Sequence, residues 1–185
     1  MRLLHLSLAS AATAMVLPSY KLPADFPISI LASGDCVMPQ KFSVTDLQMW
    51  LPALTNNEYN TTVEFRFTDS GTSIDTTCHR NATSPNVADD GDTPRWACAD
   101  PTVQFIWQDS TLTIIEKACP NSGGRGFEAS GSLQPGFNCK PTENGTWPLG
   151  DGFWCEAVDQ PLAGNFTSLQ PGPPPPSTTP AAVAI

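Results

Sequence analysis

The sequence predicts an all-β domain, an antiparallel β-barrel or β-sandwich stapled by disulfides, followed by a disordered Pro-rich tail. Three observations predict it. Apolar residues alternate with polar ones in short runs, above all Val63-Phe65-Phe67 and Val103-Phe105-Trp107, the period of a strand with one wet and one buried face. No segment sustains an apolar stripe at the helical period, so at most a helical turn is expected. All six cysteines lie beyond an apolar N-terminal stretch, and an even count in a secreted chain points to three bridges.

Residues 1–14 read as a secretory signal peptide. Met1-Arg2 supplies the positive charge, Leu3 to Ala14 the apolar run, and Ala12-Thr13-Ala14 a small-x-small cleavage site. Cleavage falls after Ala14 or a little later, up to about residue 20. The run is too short to cross a bilayer, and Ala181–Ile185 is too short for a lipid-anchor signal. The expected location is therefore extracellular. The chain has 9 Lys and Arg against 18 Asp and Glu, a net charge of −9. That balance repels phosphate, so neither nucleic acid nor a membrane is an expected partner.

The domain is expected over residues 25–160. Ser19–Ile30 carries Pro23 and Pro27 and reads as an extended lead-in. Phe42 and Val44 alternate with Ser43 and Thr45, then the apolar positions shift to Leu47 and Met49. The shift predicts a bulge, or a strand ending near Asp46. Val63–Phe67 is the next strand. Asp69-Ser70-Gly71 is a turn in which Gly71 can take positive φ, and the chain returns through Ile74, Thr76 and Cys78. His79–Pro94 is an exposed loop. Its Asp89-Asp90-Gly91-Asp92 lacks the length and closing glutamate of an EF-hand. Val103–Trp107 and Leu112–Ile114 make a hairpin about Gln108-Asp109-Ser110. Pro120–Gly126 is loop, and Phe127, Ala129 and Gly131 share one face of a short strand. Cys139 to Cys155 holds a long turn around Asn144-Gly145. From Pro161 to residue 185 the Pro-rich composition predicts a tail with no core.

Few residues carry chemistry. His79 is the only histidine beyond the signal, beside Cys78, too little for a nucleophile–base pair or a metal site. The expectation is no enzyme, no metal and no cofactor. Asp46, Asp69, Asp75, Asp100 and Asp109 keep open a small secreted hydrolase with paired carboxylates, though nothing in the spacing selects a pair. Sequons stand at Asn60, Asn81, Asn144 and Asn165. Of the five tryptophans, Trp96 and Trp107 sit in strand patterns. Trp147 and Trp154 flank a Gly-rich loop, where an exposed ring could stack on a sugar. They are the candidate ligand-binding residues, and a carbohydrate-binding module is the alternative function.

The strand opening at Phe42, the hairpin ending Thr77-Cys78, Trp96-Ala97-Cys98, the Val103–Ile115 hairpin and the final Cys139 and Cys155 together resemble the fungal Alternaria major allergen family. The resemblance runs from about Phe42 to Cys155. It implies a β-barrel or sandwich, the bridges Cys78–Cys98 and Cys139–Cys155, and no catalytic residues. It also implies a secreted effector or allergen-like protein that binds a host protein or a small ligand. Cys36 and Cys119 are two further cysteines and are expected to pair internally. That departs from the disulfide-linked dimer of the family and leaves a monomer or a non-covalent dimer.

Overall fold

The computed structural model describes residues 18–32, 36–53, 61–119, 126–142 and 151–173. Most of the signal stretch, Asn60, Asn144, Trp147 and the tail from residue 174 lie outside them. Among the described residues a single helical turn, α1 (Ile28–Ala32), precedes eleven strands. These are β1 (Lys41–Pro52), β2 (Thr62–Asp69), β3 (Ile74–Arg80), β4 (Trp96–Ala97), β5 (Val103–Gln108), β6 (Thr111–Ala118), β7 (Phe127–Leu133), β8 (Phe137–Thr142), β9 (Gly152–Ala157), β10 (Leu162–Asn165) and β11 (Ser168–Pro171). They form two antiparallel sheets. The first runs β3-β2-β1-β9-β8, with β10 also on β1, and the second runs β11-β7-β6-β5-β4. The described strands do not close into one barrel.

The alternating runs explain the core. Val63, Phe65 and Phe67 of the first sheet and Val103, Phe105 and Leu112 of the second are at most 1% exposed. Phe65 meets Phe105 edge-on across the sheets at 5.0 Å, and burial of apolar surface, such rings included, is the dominant favourable term in folding.

The expected irregularity in β1 is a bulge. Its register to β2 shifts between Thr45 and Gln48, and Asp46 stands at φ 54°. The bulge lets one strand serve two partners. Lys41–Val44 pairs with β10, and Gln48–Pro52 pairs with β9. Between them the Leu47 N–H donates to Gln160 Oε1 at 2.9 Å, so it does not go unpaired.

Several expectations need correction. The domain does not stop at residue 160. Residues 162–171 form β10 and β11, one in each sheet, and bury Phe166 and Leu169. Proline frequency misled because Pro161 and Pro173 flank these strands and Pro171 ends β11, while the apolar positions between them do the packing. Nor does the domain begin at residue 25. Tyr20 is buried, and its hydroxyl donates to the Pro39 carbonyl at 2.6 Å. The lead-in is not extended throughout, since α1 turns its Leu31 into the core. In the β2–β3 turn the left-handed residue is Ser73 (φ 61°), not Gly71. Asp69 Oδ1 accepts the Gly71 N–H at 2.7 Å and so sets the first half of the turn, leaving the reversal to its end. His79 and Arg80 continue β3, paired with Glu64 and Val63. The stretch after Cys139 begins in a strand, β8, that the sequence does not announce, because Pro141 and the polar residues of Phe137–Thr142 hide its period.

All six cysteines are bridged: Cys36–Cys119, Cys78–Cys98 and Cys139–Cys155. Such a chain suits an oxidising environment.

Candidate functional site

The outer face of the second sheet carries a groove of about 600 Å³. Its floor comes from the positions that alternate with the core. Gln104 pairs with Ile115 and Ile115 with Ser130. Ile106 pairs with Thr113, and Lys117 with Glu128. The floor is thus apolar at Ile106 and Ile115 and rimmed by amide, hydroxyl and charged groups.

The 87–95 loop makes one wall. Asn86 Oδ1 accepts the N–H groups of Ala88 and Arg95, at 3.0 and 2.9 Å, and the Val87 N–H donates to the Arg95 carbonyl at 2.9 Å. Asp92 closes a turn onto the Asp89 carbonyl at 3.1 Å, with Gly91 left-handed at φ 91°, a conformation that glycine adopts at no steric cost. Arg95 reaches down to Glu128 Oε2 at 2.7 Å. These two side chains are 27% and 11% exposed, so the pair fastens the loop more firmly than an open surface ion pair would. Pro171, Gly172 and Pro173 form the opposite wall, held where the Gly172 N–H donates to the Gly126 carbonyl at 2.7 Å.

The groove holds donors, acceptors and two isoleucines, but neither histidine nor cysteine lines it. Its volume lies within the usual range of small-ligand sites, about 300–1,000 Å³.

The residues singled out by sequence lie elsewhere. Trp96 and Trp107 are buried. Trp154 is half-buried on the outer face of the first sheet, its indole N–H 3.4 Å from Glu156 Oε1. Trp50 opposite it is buried and donates to Thr142 Oγ1 at 3.3 Å. No flat pair of exposed tryptophans occurs among the described residues. His79 is exposed on β3. Among the described residues no group of three or more His, Cys, Asp or Glu is placed to hold a metal.

Three of the five aspartates stand apart. Asp46 sits in the bulge and Asp109 in the β5–β6 turn. Asp75 is ion-paired with Arg66 on the surface, which holds its carboxyl below the usual range. Asp69 and Asp100 converge on an acid that sequence reading passed over, Glu116. It occupies an inward position of β6 and is wholly buried. The alternation itself was the available signal, since 112, 114, 116 and 118 share one face.

Compared with known protein families, curated proteins and solved structures, the chain matches none.

Proposed function

We propose that this chain is a secreted, non-enzymatic binding protein that holds a small ligand in the groove of the second sheet. The observation that carries the reading is the groove itself, whose loop wall is pinned by the Arg95–Glu128 pair and whose floor is a rigid sheet. Pre-built walls lower the ordering cost of binding. Three disulfides fit an extracellular chain. Cleavage after Ala14 would keep Tyr20 in the core, whereas cleavage at residue 20 would remove it. The resemblance to the fungal allergen family supports an effector or allergen-like role toward a host, without a catalytic step or cofactor. With every cysteine closed internally, the working form is a monomer or a non-covalent dimer. The carbohydrate-binding reading rests on Trp154 alone among the described residues.

Equilibrium dialysis of the secreted protein against small phenolics and soluble oligosaccharides tests the assignment. One class should bind saturably, and Gln104→Trp, which fills the groove floor, should abolish binding while leaving Tm unchanged. Binding that survives Gln104→Trp but is lost in Trp154→Ala would move the site to the first sheet and favour the carbohydrate module.

A further inference from the structure

Glu116 projects from β6 into the space between the sheets and is 0% exposed. Its neighbours at the same level, Val103 on β5 and Ala129 on β7, are apolar and equally buried. Neither carboxyl oxygen has a hydrogen-bond partner. Asp69, 1% exposed, closes β2 nearby. Its Oδ1 accepts N–H groups from Gly71 at 2.7 Å and Thr72 at 3.3 Å, while its Oδ2 and the Thr72 hydroxyl oxygen have no partner.

Counting donors decides the state of this cluster. With both acids ionised, three unpaired carboxylate oxygens face one hydroxyl proton, an arrangement too costly to bury. One added proton supplies a second donor. It belongs on Glu116: burial raises the Asp69 carboxyl too, but the two N–H partners of Asp69 oppose that rise, and Glu116 has no N–H partner. Burial pushes the Glu116 carboxyl from its ordinary 4.5 up to about 8, the charges of Asp69 and Asp100 add to the rise, and the Thr72 hydroxyl opposes it.

The N-terminal segment closes this end of the sandwich. Tyr20, buried with its hydroxyl on the Pro39 carbonyl, is close enough to feel the charge of both acids. Burial first, then the charges of Glu116 and Asp69, hold its phenol above its ordinary range. Phe26 packs edge-on against Phe127 at 4.8 Å. Phe127 pairs with Ala118, two positions beyond Glu116 on the same face of β6. The chain is then tied down at Cys36–Cys119. Residues 18–32 contain no strand. The strands around Glu116 are held in ladders, so the least costly route for water to reach it is to lift this segment.

We propose that residues 18–32 are a latch over the Asp69–Glu116 pair, closed while Glu116 is protonated and released when it ionises, with Cys36–Cys119 as the fixed end. The groups that act electrostatically on Glu116 or feel its charge are Tyr20 from the segment, Asp69 and Thr72 from β2 and its turn, and Asp100 from the turn before β5. Asp100 is itself capped by the Thr102 N–H at 2.9 Å and hydroxyl at 2.6 Å. The buried Arg80 lies at the other end of β3, opposite Val63, whereas Asp69 lies opposite Ile74. The folded chain keeps the Glu116 proton up to about pH 8, and an unfolded chain releases it near 4.5. The stabilisation is therefore full below about 4.5 and is lost as pH rises through about 8.

Hydrogen exchange read by mass spectrometry on the mature chain beginning after Ala14, at pH 6 and pH 9 with intrinsic rates corrected, tests the latch. Protection over 18–32 should fall by up to about tenfold per pH unit between about 4.5 and about 8 and level off above that, with β5–β7 unchanged. Glu116→Gln should stay protected at both pH values. Asp69→Asn, which removes a repelling charge and so brings the folded-state Glu116 carboxyl back toward its ordinary range, should level off at lower pH and lose less protection by pH 9. Equal protection of the wild type at both pH values, pH dependence that survives Glu116→Gln, or an unmoved transition in Asp69→Asn would overturn the proposal. So would restored protection at pH 9 with millimolar calcium or magnesium, which would make the pair a cation site instead.

Discussion

At Asp46 the backbone turns left-handed, and that one residue decides how the first sheet is assembled. Because the bulge re-aims β1, β10 and β9 can share it end to end. Gly164 is a second such residue. A Cβ there would lie 2.3 Å from the Phe42 ring, which also packs on Phe166 at 5.0 Å. Gly164→Ala should cost about 1–3 kcal/mol as the ring is forced aside, and denaturant unfolding should show a lower midpoint with an unchanged slope. The two described sequons differ in their surroundings. Asn81 opens an exposed turn in which its Oδ1 accepts the Thr83 N–H and hydroxyl at 2.9 and 2.8 Å. Asn165 is paired in β10 opposite Lys41. Peptide mapping after deglycosylation of secreted protein should find Asn81 modified, and an unmodified Asn81 beside a modified Asn165 would contradict this.

The last two strands are where composition and structure part. β10 and β11 are four residues each, set among prolines, yet Phe166 is 1% exposed and Leu169 5%. Burying two such side chains contributes about 3–6 kcal/mol, a large share of a domain stability of about 5–15 kcal/mol. Removing the strands would also bare the edge of β7 and half of β1. A chain ending at Gln160 should lose cooperative unfolding, whereas one ending at Pro173 should keep its Tm within a few degrees. Equal melting of the two would mean that these strands add nothing to the fold.

Across the whole molecule the three bridges act on different distances. Cys36–Cys119 spans 83 residues and ties the N-terminal segment to the end of β6. Cys78–Cys98 spans 20 and links β3 to the chain just after β4, between sheets. Cys139–Cys155 spans 16 and fastens neighbouring strands of one sheet, where residues 139 and 155 already pair. Loop-closure entropy assigns about 4–5 kcal/mol to the longest closure and about 3 to the others. Paired Cys→Ser changes should therefore lower stability most at 36/119, then 78/98, then 139/155, as read by thermal melts of each secreted variant. A 139/155 variant that melts lowest would reverse the ranking.

Strand period was legible in the sequence wherever apolar side chains alternate against polar ones, as at Val63–Phe67 and Val103–Trp107, because burial of one sheet face imposes that pattern locally. The bulge was legible for the same reason, as a break of phase between Val44 and Leu47. The cysteine count announced an oxidised chain. What each wet face meets was not legible. Gln104, Ser130 and Lys117 look like ordinary solvent positions until the 87–95 loop and residues 170–173 wall them into a groove. Glu116 sits in a run of inward positions, but only the approach of Asp69 and Thr72 from another sheet makes it one of a buried pair. Of the C-terminal strands, β10 depended on a partner more than a hundred residues earlier in the sequence, Lys41–Val44, and β11 on β7 in the other sheet. Local pattern records which face of a strand is buried. It does not record which distant segment covers that face, because the cover is chosen by long-range packing.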